Sequence, residues 1–131
     1  MENLSIITKK PKQILDITDI LYKILQKNKW KQGLLHLFVK HTSCAITAAD
    51  LDPGTDLDMI DAFEEIIPKL KYRHPHDPSH VGDHIMSSII GSNVTVPVED
   101  FKLLLGNWQR VVLVELNGPR ERNIVVSFVG I

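Results

Sequence analysis

The spacing of apolar residues in the first third of the chain changes between that of strands and that of helices. Residues 4–9 are half β-branched and predict a first strand. Asp16 is a good N-cap, and the apolar residues after it recur at helical spacing until about Asn28. Residues 34–41 alternate with apolar content on both faces, which predicts a further strand. Residues 44–47 either continue that strand or return as its neighbour.

The middle and the end of the chain have different periodicities. Residues 50–58 predict a loop, in which Thr55 or Asp56 caps a helix that ends before Pro68. The last third alternates in the manner of strands. Four strands are predicted there, over residues 93–98, 102–105, 108–116 and 122–129. The turn signal Asn117-Gly118-Pro119 separates the last two.

Together these elements predict an α+β domain. Two or three helices with about seven strands favour mixed or antiparallel sheets that form a compact sandwich or a strongly curved sheet. The length of 131 residues suits a single domain over residues 1–131. Several strands carry apolar residues on both faces, which is compatible with an oligomer that covers them.

Charge and cysteine content narrow the functional classes. The formal net charge is −1, whereas nucleic-acid binding generally requires a basic surplus, so no nucleic-acid partner is expected. No apolar run is near the ~18 residues of a membrane helix, and no basic-then-apolar leader is present, so no membrane association or signal peptide is expected. The one cysteine, Cys44, cannot form an internal disulfide. We therefore expect a cytoplasmic protein.

The highest density of potential metal-binding side chains lies in residues 74–84. This segment holds four of the six histidines, namely His74, His76, His80 and His84. Residues 74–78 contain two prolines and predict an extended loop. A helix then follows from residue 79 or 80 to about 90, which sets His80 and His84 on one face. Imidazole is a common metal ligand, so the segment predicts a metal site; an exposed loop with incidental histidines is the alternative.

Other polar groups lie at predicted strand ends. His41 closes a strand and leads into Thr42 and Ser43, so the imidazole can ligate a metal while the hydroxyls contact a phosphate. A histidine bonded within a turn is the alternative. Asp50 and Asp52 are candidates for orienting a histidine or for acting as a general base.

A rigid turn presents an arginine. Arg120 follows Gly118-Pro119, and its guanidinium suits a phosphate or a carboxylate. Pairing of that guanidinium with Glu115 or Glu121 is the alternative. Cys44 is most simply a small buried residue, because few basic groups surround it in sequence.

The number and type of candidate ligands do not identify the metal ion. Zinc takes three or four nitrogen, sulfur or oxygen ligands, and His41 with two of His74, His80 and His84 would form an open catalytic site. An all-imidazole set also fits nickel or copper.

A series of short motifs runs in a fixed order along nearly the whole chain. They are Leu34-Leu35-His36-Leu37, His41-Thr42-Ser43, Asp52-Pro53, Asp58-Met59, Tyr72 with His74, His84-Ile85 with Ser87-Ser88, Gly91, Val96-Pro97-Val98, Gly106 with Trp108-Gln109, Glu115 and Gly118-Pro119-Arg120. Their joint order and spacing resemble the YjbQ family, also known as the secondary thiamine-phosphate synthase family.

The resemblance implies a fold, an assembly and an activity. The implied fold is a compact α+β sandwich, and the implied assembly is a homotrimer with a polar, metal-capable site near the subunit boundaries. The implied activity is a low-level joining of a pyrimidine pyrophosphate to a thiazole phosphate. A divalent metal is implied as cofactor, with zinc favoured by the histidines and Mg²⁺ possible for the pyrophosphate substrate.

The resemblance also assigns roles to individual residues. It implies His41, His74 and His84 as metal ligands, Asp52 and Asp58 match the family's acidic positions, and Trp108, Gln109 and Arg120 match its late motif. Taken with the residue-based candidates above, the expected catalytic residues are Asp50, Asp52 and His41. The expected substrate-binding residues are Thr42, Ser43, Trp108, Gln109 and Arg120. The chain departs from the family pattern at Ala49-Asp50, where Asn-Glu is usual, at His80, where Asp or Asn is common, and at Asn107, where Thr is usual.

Three functional hypotheses follow. The first is a metal-dependent enzyme that acts on a phosphorylated small molecule, with thiamine-phosphate synthesis as its detectable activity. The second is a non-catalytic trimer that binds a metal or a phosphorylated metabolite. The third is a metal-assisted hydrolase, because an open three-histidine zinc site can activate water near neutral pH.

Overall fold

A computed structural model describes residues 1–74 and 76–131. In these residues eight strands form two sheets, and three α-helices pack with them. The elements in chain order are β1 (Glu2–Ile7), β2 (Gln13–Asp16), α1 (Thr18–Asn28), β3 (Gly33–Val39), β4 (Cys44–Asp50), α2 (Thr55–Ile66), α3 (Val81–Ile90), β5 (Asn93–Glu99), β6 (Lys102–Leu103), β7 (Gln109–Glu115) and β8 (Glu121–Gly130). A 3₁₀ turn, Pro78–His80, leads into α3. The predicted α+β class is confirmed.

All strand pairs in the described residues are antiparallel. The larger sheet has the order β1-β8-β3-β5-β6, and the smaller has the order β2-β7-β4. Strand β7 is the central strand of the smaller sheet, and β8 lies between β1 and β3 in the larger one. The short connection 116–120 joins β7 to β8 and therefore links the two sheets.

Two predictions about strands were wrong. Residues 44–47 neither continue β3 nor pair with it; they belong to β4, whose partner is β7 in the other sheet. Strand β4 also runs to Asp50, so this residue ends a strand and does not open a loop. Strand β2 was missed, because it has only four residues and ends at Asp16, which accepts a hydrogen bond from the Thr18 amide (3.0 Å) as α1 begins.

The smaller sheet is covered on both faces. One face packs with the larger sheet and α1, and its buried side chains include Ile46, Val111 and Leu113. The other face, which includes Val112 and Val114, contacts α3 and partly buried residues of α2. The apolar pattern on both faces of β7 is therefore satisfied within the chain itself.

The outer face of the larger sheet is not covered in this way. Leu34 and Phe38 of β3 and Val129 of β8 are exposed there, with 37%, 44% and 63% of their surface accessible. Leu34 and Val129 stand opposite each other in the β3–β8 register, so they form a continuous apolar strip. Of the helices in the described part of the chain, none has the length and apolar character that a membrane crossing requires.

Candidate functional site

Several strand ends and the start of α3 meet at one end of the smaller sheet. The end of β3, the start of β4 and the β7–β8 connection are joined there by backbone bonds such as Leu116 N–H to Ser43 O (3.1 Å). They surround an open depression of about 830 Å³, called here the histidine pocket. Its lining residues are Lys40, His41, Thr42, Ser43, His74, Asp77, His80, His84, Asn117, Arg120, Glu121 and Arg122.

A buried ion pair forms the floor of this pocket. Arg122 and Glu115 are 2% and 0% exposed, and the Arg122 Nε and Nη2 atoms donate to the Glu115 carboxylate at 2.5–3.0 Å. Arg122 Nη2 also donates to the carbonyl and to the Oγ of Ser43, both at 3.0 Å. Because the Ser43 Oγ accepts this bond, its own proton remains available to an acceptor in the pocket.

The same network leaves cationic donors facing the pocket. In the part of the chain that the structure describes, Arg122 Nη1 has no hydrogen-bond acceptor, although the rest of the guanidinium is fully bonded. Arg120 Nε donates to the Asn117 carbonyl (2.8 Å), which fixes its guanidinium while leaving both terminal nitrogens to solvent. Two arginines therefore present N–H groups to one depression, an arrangement that suits phosphate oxygens.

The turn that carries Arg120 requires its glycine. A Cβ on Gly118 would overlap the Lys10 carbonyl oxygen and lie 2.8 Å from Thr8 Oγ1. Thr8 is buried, donates to Glu115 (2.6 Å) and accepts the Arg120 amide (2.9 Å). The connection is thus held against the N-terminal segment, and the position of Arg120 is coupled to the buried ion pair.

The hydrogen bonds of the pocket histidines determine which ring nitrogens are free. His84 Nδ1 lies 2.8 Å from the Thr42 carbonyl, which can only accept, so the proton of neutral His84 is on Nδ1 and Nε2 carries a lone pair. His41 Nε2 instead accepts the Asn123 amide (2.9 Å). His74 Nδ1 accepts the amides of His76 and Asp77 (3.2 and 3.1 Å). Neutral His41 and His74 therefore carry their protons on the other nitrogen, as donors.

This pattern does not fit the predicted three-histidine metal centre. A metal needs a lone pair from each imidazole, and the hydrogen bonds of His41 and His74 use theirs. The structure does bring His74 and His84 together, with ring centroids 5.2 Å apart in a stacked geometry. Within residues 1–74 and 76–131, no three His, Cys, Asp or Glu side chains are grouped so as to hold an ion. A His41, His74 and His84 centre would require both donor rings to turn.

Burial lowers the pKa of His41 below its usual 6.5, and the nearby positive charge of Arg122 lowers it further. The folded protein therefore favours neutral His41. Above about pH 6.5 the residue is neutral in both states and contributes no pH dependence. As the pH falls below 6.5, the unfolded chain takes up the proton first, so the free energy of unfolding falls.

We expect a His41→Asn variant to lose this part of the acid destabilisation. Urea unfolding of both proteins, measured at about pH 7.5 and about pH 5.5, gives the comparison. His36→Asn, which changes a histidine on the outer face of the larger sheet, is the matched control. An unchanged pH slope in His41→Asn would contradict the assigned neutral state.

His80 lines the pocket together with His84 but lies just before α3 and not within it. It belongs to the 3₁₀ turn, and its two ring nitrogens lie 3.2 Å from Asp77 and 3.2 Å from Asp83. Asp77 in turn accepts from the amide and hydroxyl of Ser79, and these bonds lower its pKa below the usual value. Asp83 also pairs with Lys12 of the segment before β2. A polar chain therefore ties the His74 loop to the body of the protein.

Replacing His80 by alanine should loosen that loop. The imidazole is partly exposed, so the expected loss of global stability is at most about 1 kcal/mol. The expected local effect is faster amide exchange at residues 76–80, because Asp77 and Asp83 lose their bridge. Hydrogen exchange read by mass spectrometry, with His36→Ala as control, measures it. Unchanged exchange would show that the bridge does not hold the loop.

The remaining predicted site residues lie elsewhere. Asp50 pairs with Gln109 in the β4–β7 register, whereas the pocket end is marked by Cys44 opposite Glu115. Six residues of strand separate these ends, which is about 20 Å. Asp52 follows Asp50 and donates its amide to that carboxylate (2.7 Å). We call this region the distal end; it also contains Trp108, which is 72% exposed. Within one chain, Asp50 and Asp52 are therefore not near His41.

Some residues of the site were missed from sequence. Arg122 was treated only as the start of a strand, and Glu115 only as a possible partner of Arg120. The available signal was Glu115, whose carboxylate directly follows the apolar run 111–114. A carboxylate buried at the end of such a strand requires a cation, which would have pointed to a nearby arginine. The expectation for Cys44 is confirmed: it is buried, and burial raises the pKa of its thiol to about 12.

Comparison with known proteins gives the family and the fold. A sequence profile described as "UPF0047 protein YjbQ-like" matches residues 2–131. The chain is 33% identical over 125 residues to a UPF0047 protein of Archaeoglobus fulgidus, covering 95% of this chain and 97% of that one. It is 30% identical over 131 residues to the UPF0047 protein YugU of Bacillus subtilis, covering 99% of both.

Solved structures agree. A YbjQ-like protein of unknown function from Sulfolobus solfataricus superposes with a TM-score of 0.91 at 31% identity, covering 99% of this chain and 96% of that one. An uncharacterized conserved protein from Clostridium acetobutylicum superposes with a TM-score of 0.89 at 28% identity, covering 98% and 100%. These descriptions state no activity.

Proposed function

The chain belongs to the YjbQ-like UPF0047 family, and from that premise we propose that it is an enzyme that acts on a phosphorylated small molecule in the histidine pocket. The specific reaction is the one implied by the sequence resemblance. A thiazole phosphate nitrogen attacks the methylene carbon of a pyrimidine pyrophosphate, the carbon–oxygen bond breaks, and pyrophosphate leaves.

The convergence of unsatisfied donors on the pocket carries this proposal. Arg120, Arg122 and Ser43 all line the pocket, and within the described residues no acceptor contacts the Arg120 terminal nitrogens, Arg122 Nη1 or the Ser43 hydroxyl proton. Two acidic residues also line it, but Asp77 is bonded to Ser79 and His80, and Glu121 accepts from Ser5. The donors therefore remain available to the oxygens of a phosphate or pyrophosphate.

In the proposed reaction these residues stabilise the leaving group, pyrophosphate. Negative charge develops on the pyrophosphate oxygen as the carbon–oxygen bond breaks, and fixed cations beside it lower the barrier. Arg122 is preorganised by Glu115, and Arg120 by the Asn117 carbonyl, so little reorganisation accompanies the reaction. His41 and His74 also line the pocket, and because one ring nitrogen of each accepts a backbone amide, the other ring nitrogen can donate.

The test is product formation from the two substrates. Wild-type protein should form thiamine phosphate and pyrophosphate, detected by mass spectrometry, and Arg120→Ala should form much less. Lys27→Ala is the matched control, because this exposed cation pairs with Glu2 and lies neither among the pocket-lining residues nor at the distal end. Pyrophosphate binding without turnover would instead support the non-catalytic binding protein.

A metal-dependent form of this function is the second candidate. The stacked His74 and His84 rings favour it, because rotation of His74 would place two imidazole nitrogens near each other. Metal content of tag-free protein, with His84→Ala beside it, decides the question. About one zinc per chain that is lost in the variant would support the histidine centre and its hydrolase chemistry. Mg²⁺ needs no such centre, since it can accompany pyrophosphate through oxygen ligands.

We propose that the functional assembly is a homotrimer with shared sites. Asp50, Asp52, Trp108 and Gln109 lie about 20 Å from the pocket in their own chain, so they reach a pocket only if it belongs to another subunit. The distal end is acidic and carries an exposed tryptophan, and the pocket end carries Lys40 and Arg120. Head-to-tail contact of these two ends, with a rotation of about 120° between subunits, would close a ring of three chains.

Mixing two inactive variants tests shared sites directly. If Arg120→Ala and Asp50→Ala are each inactive, trimers reassembled from both contain some intact sites, so activity reappears after unfolding and refolding the mixture. Light scattering should give three chains per particle. A monomer at micromolar concentration, or no recovery of activity in mixed trimers, would contradict the shared site.

The proposed compartment is the cytoplasm. Cys44 is a buried free thiol, and the phosphorylated substrates are intracellular metabolites by their charge. Cell fractionation of the native host measures this directly.

A further inference from the structure

His84 differs from its neighbours in having an open lone pair. Among the described residues that line the pocket, His41 and His74 accept amide protons, and both ring nitrogens of His80 contact carboxylates. His84 alone donates through Nδ1, to the Thr42 carbonyl at 2.8 Å, and has no protein partner at Nε2. With Nδ1 as the donor, Nε2 carries the lone pair through which an imidazole acts as a nucleophile, and the Thr42 carbonyl fixes the orientation of the ring.

The surroundings of that nitrogen match phosphorus chemistry better than acyl chemistry. The pocket that contains His84 also presents the terminal nitrogens of Arg120, Arg122 Nη1 and the Ser43 hydroxyl. Arg122 is buried, and its position is fixed by Glu115. Phosphoryl transfer needs such positioned cations around the phosphoryl oxygens, with little further covalent participation from the protein.

We infer that His84 Nε2 is a phosphoryl acceptor and that the protein cleaves pyrophosphate through a phosphohistidine at this residue. The inference rests on the proposed function, because the pyrophosphate that leaves the pyrimidine is the molecule already held in the pocket. Cleaving it removes a product of the synthesis and makes that reaction irreversible.

The two steps balance without a further reactant. In the first, the Nε2 lone pair forms a nitrogen–phosphorus bond, the bridging phosphorus–oxygen bond breaks, and its electron pair leaves on inorganic phosphate, which takes a proton from solvent. In the second, water attacks the phosphoryl group, the nitrogen–phosphorus bond breaks, and its electron pair returns to Nε2, while the water releases one proton to solvent and so replaces the proton taken up in the first step. The net reaction converts pyrophosphate and water to two phosphates.

The experiment uses full-length protein with radiolabelled inorganic pyrophosphate, quenched with base because phosphohistidine is stable in base and labile in acid. Wild-type protein should carry label at His84, identified by peptide mass spectrometry, and should release phosphate. His84→Gln should lose both signals. His36→Gln, which changes a histidine on the outer sheet face, should retain both.

Thermal stabilisation by pyrophosphate, measured in parallel, separates the possible failures. Stabilisation of the wild type with no label on His84, or with phosphate release unchanged in His84→Gln, overturns the phosphohistidine while leaving the pocket as a pyrophosphate site. Absence of stabilisation overturns the proposed function as well. Folding of His84→Gln is checked by its own melting temperature and by its stabilisation with pyrophosphate.

Discussion

Replacing Arg122 by methionine lowers the free energy of unfolding by about 3–5 kcal/mol, because removing one partner leaves a buried charge without compensation. Glu115 is fully buried, and Arg122 supplies its cation through both Nε and Nη2. The loss also frees the Ser43 carbonyl from its donor at 3.0 Å. Chemical denaturation of both proteins measures the difference.

Two further variants define the cause. Arg110→Ala breaks an ion pair at the surface, so its expected cost is less than about 1 kcal/mol. The double variant Glu115→Leu with Arg122→Met should regain part of the loss, because neither charge is then buried alone. A cost below about 1 kcal/mol for Arg122→Met would show that the pair is not buried as described.

Replacing Arg120 by alanine weakens binding of pyrophosphate about 10- to 100-fold, since a hydrogen bond to a charged group contributes roughly 1.5–3 kcal/mol. Its guanidinium is held by the Asn117 carbonyl at 2.8 Å, so the side chain is already positioned before the ligand arrives. Stability should change little, because the residue is exposed. Calorimetric titration with inorganic pyrophosphate gives both dissociation constants.

Salt dependence distinguishes a specific contact from general attraction. Both Arg120→Ala and Lys27→Ala remove one positive charge, and Lys27 pairs with Glu2 away from the pocket, so a purely long-range effect would weaken binding similarly in the two variants. A loss confined to Arg120→Ala that persists at high salt supports direct contact. Equal losses in both variants would contradict the assigned role of Arg120.

The periodicity of the sequence was sufficient for most of the fold. Helices α1, α2 and α3 and strands β5 to β8 appear close to their predicted positions, because each has a clear apolar spacing and a Pro or Gly near one end. Pairing was harder. The β4 segment pairs with β7, some sixty residues further along the chain, and neither its composition nor its local spacing encodes that partner.

The site was predicted only in part, for two physical reasons. His41, His84 and Arg120 were predicted from the sequence as site residues, and all three line the histidine pocket. The sequence did not distinguish donor from acceptor histidines, because that depends on backbone groups such as the Asn123 amide and the Thr42 carbonyl. Nor did it show that Asp50 and Arg120 lie at opposite ends of one sheet, since strand direction and register are properties of the fold.

The proposed function requires that the histidine pocket bind pyrophosphate through Arg120 and Arg122. A crystal structure of the protein with inorganic pyrophosphate tests it most directly. We expect phosphate oxygens within hydrogen-bond distance of Arg120 and of Arg122 Nη1, with His84 Nδ1 still bonded to the Thr42 carbonyl. Pyrophosphate bound elsewhere, or a metal ion ligated by rotated His41, His74 and His84 side chains, would contradict it.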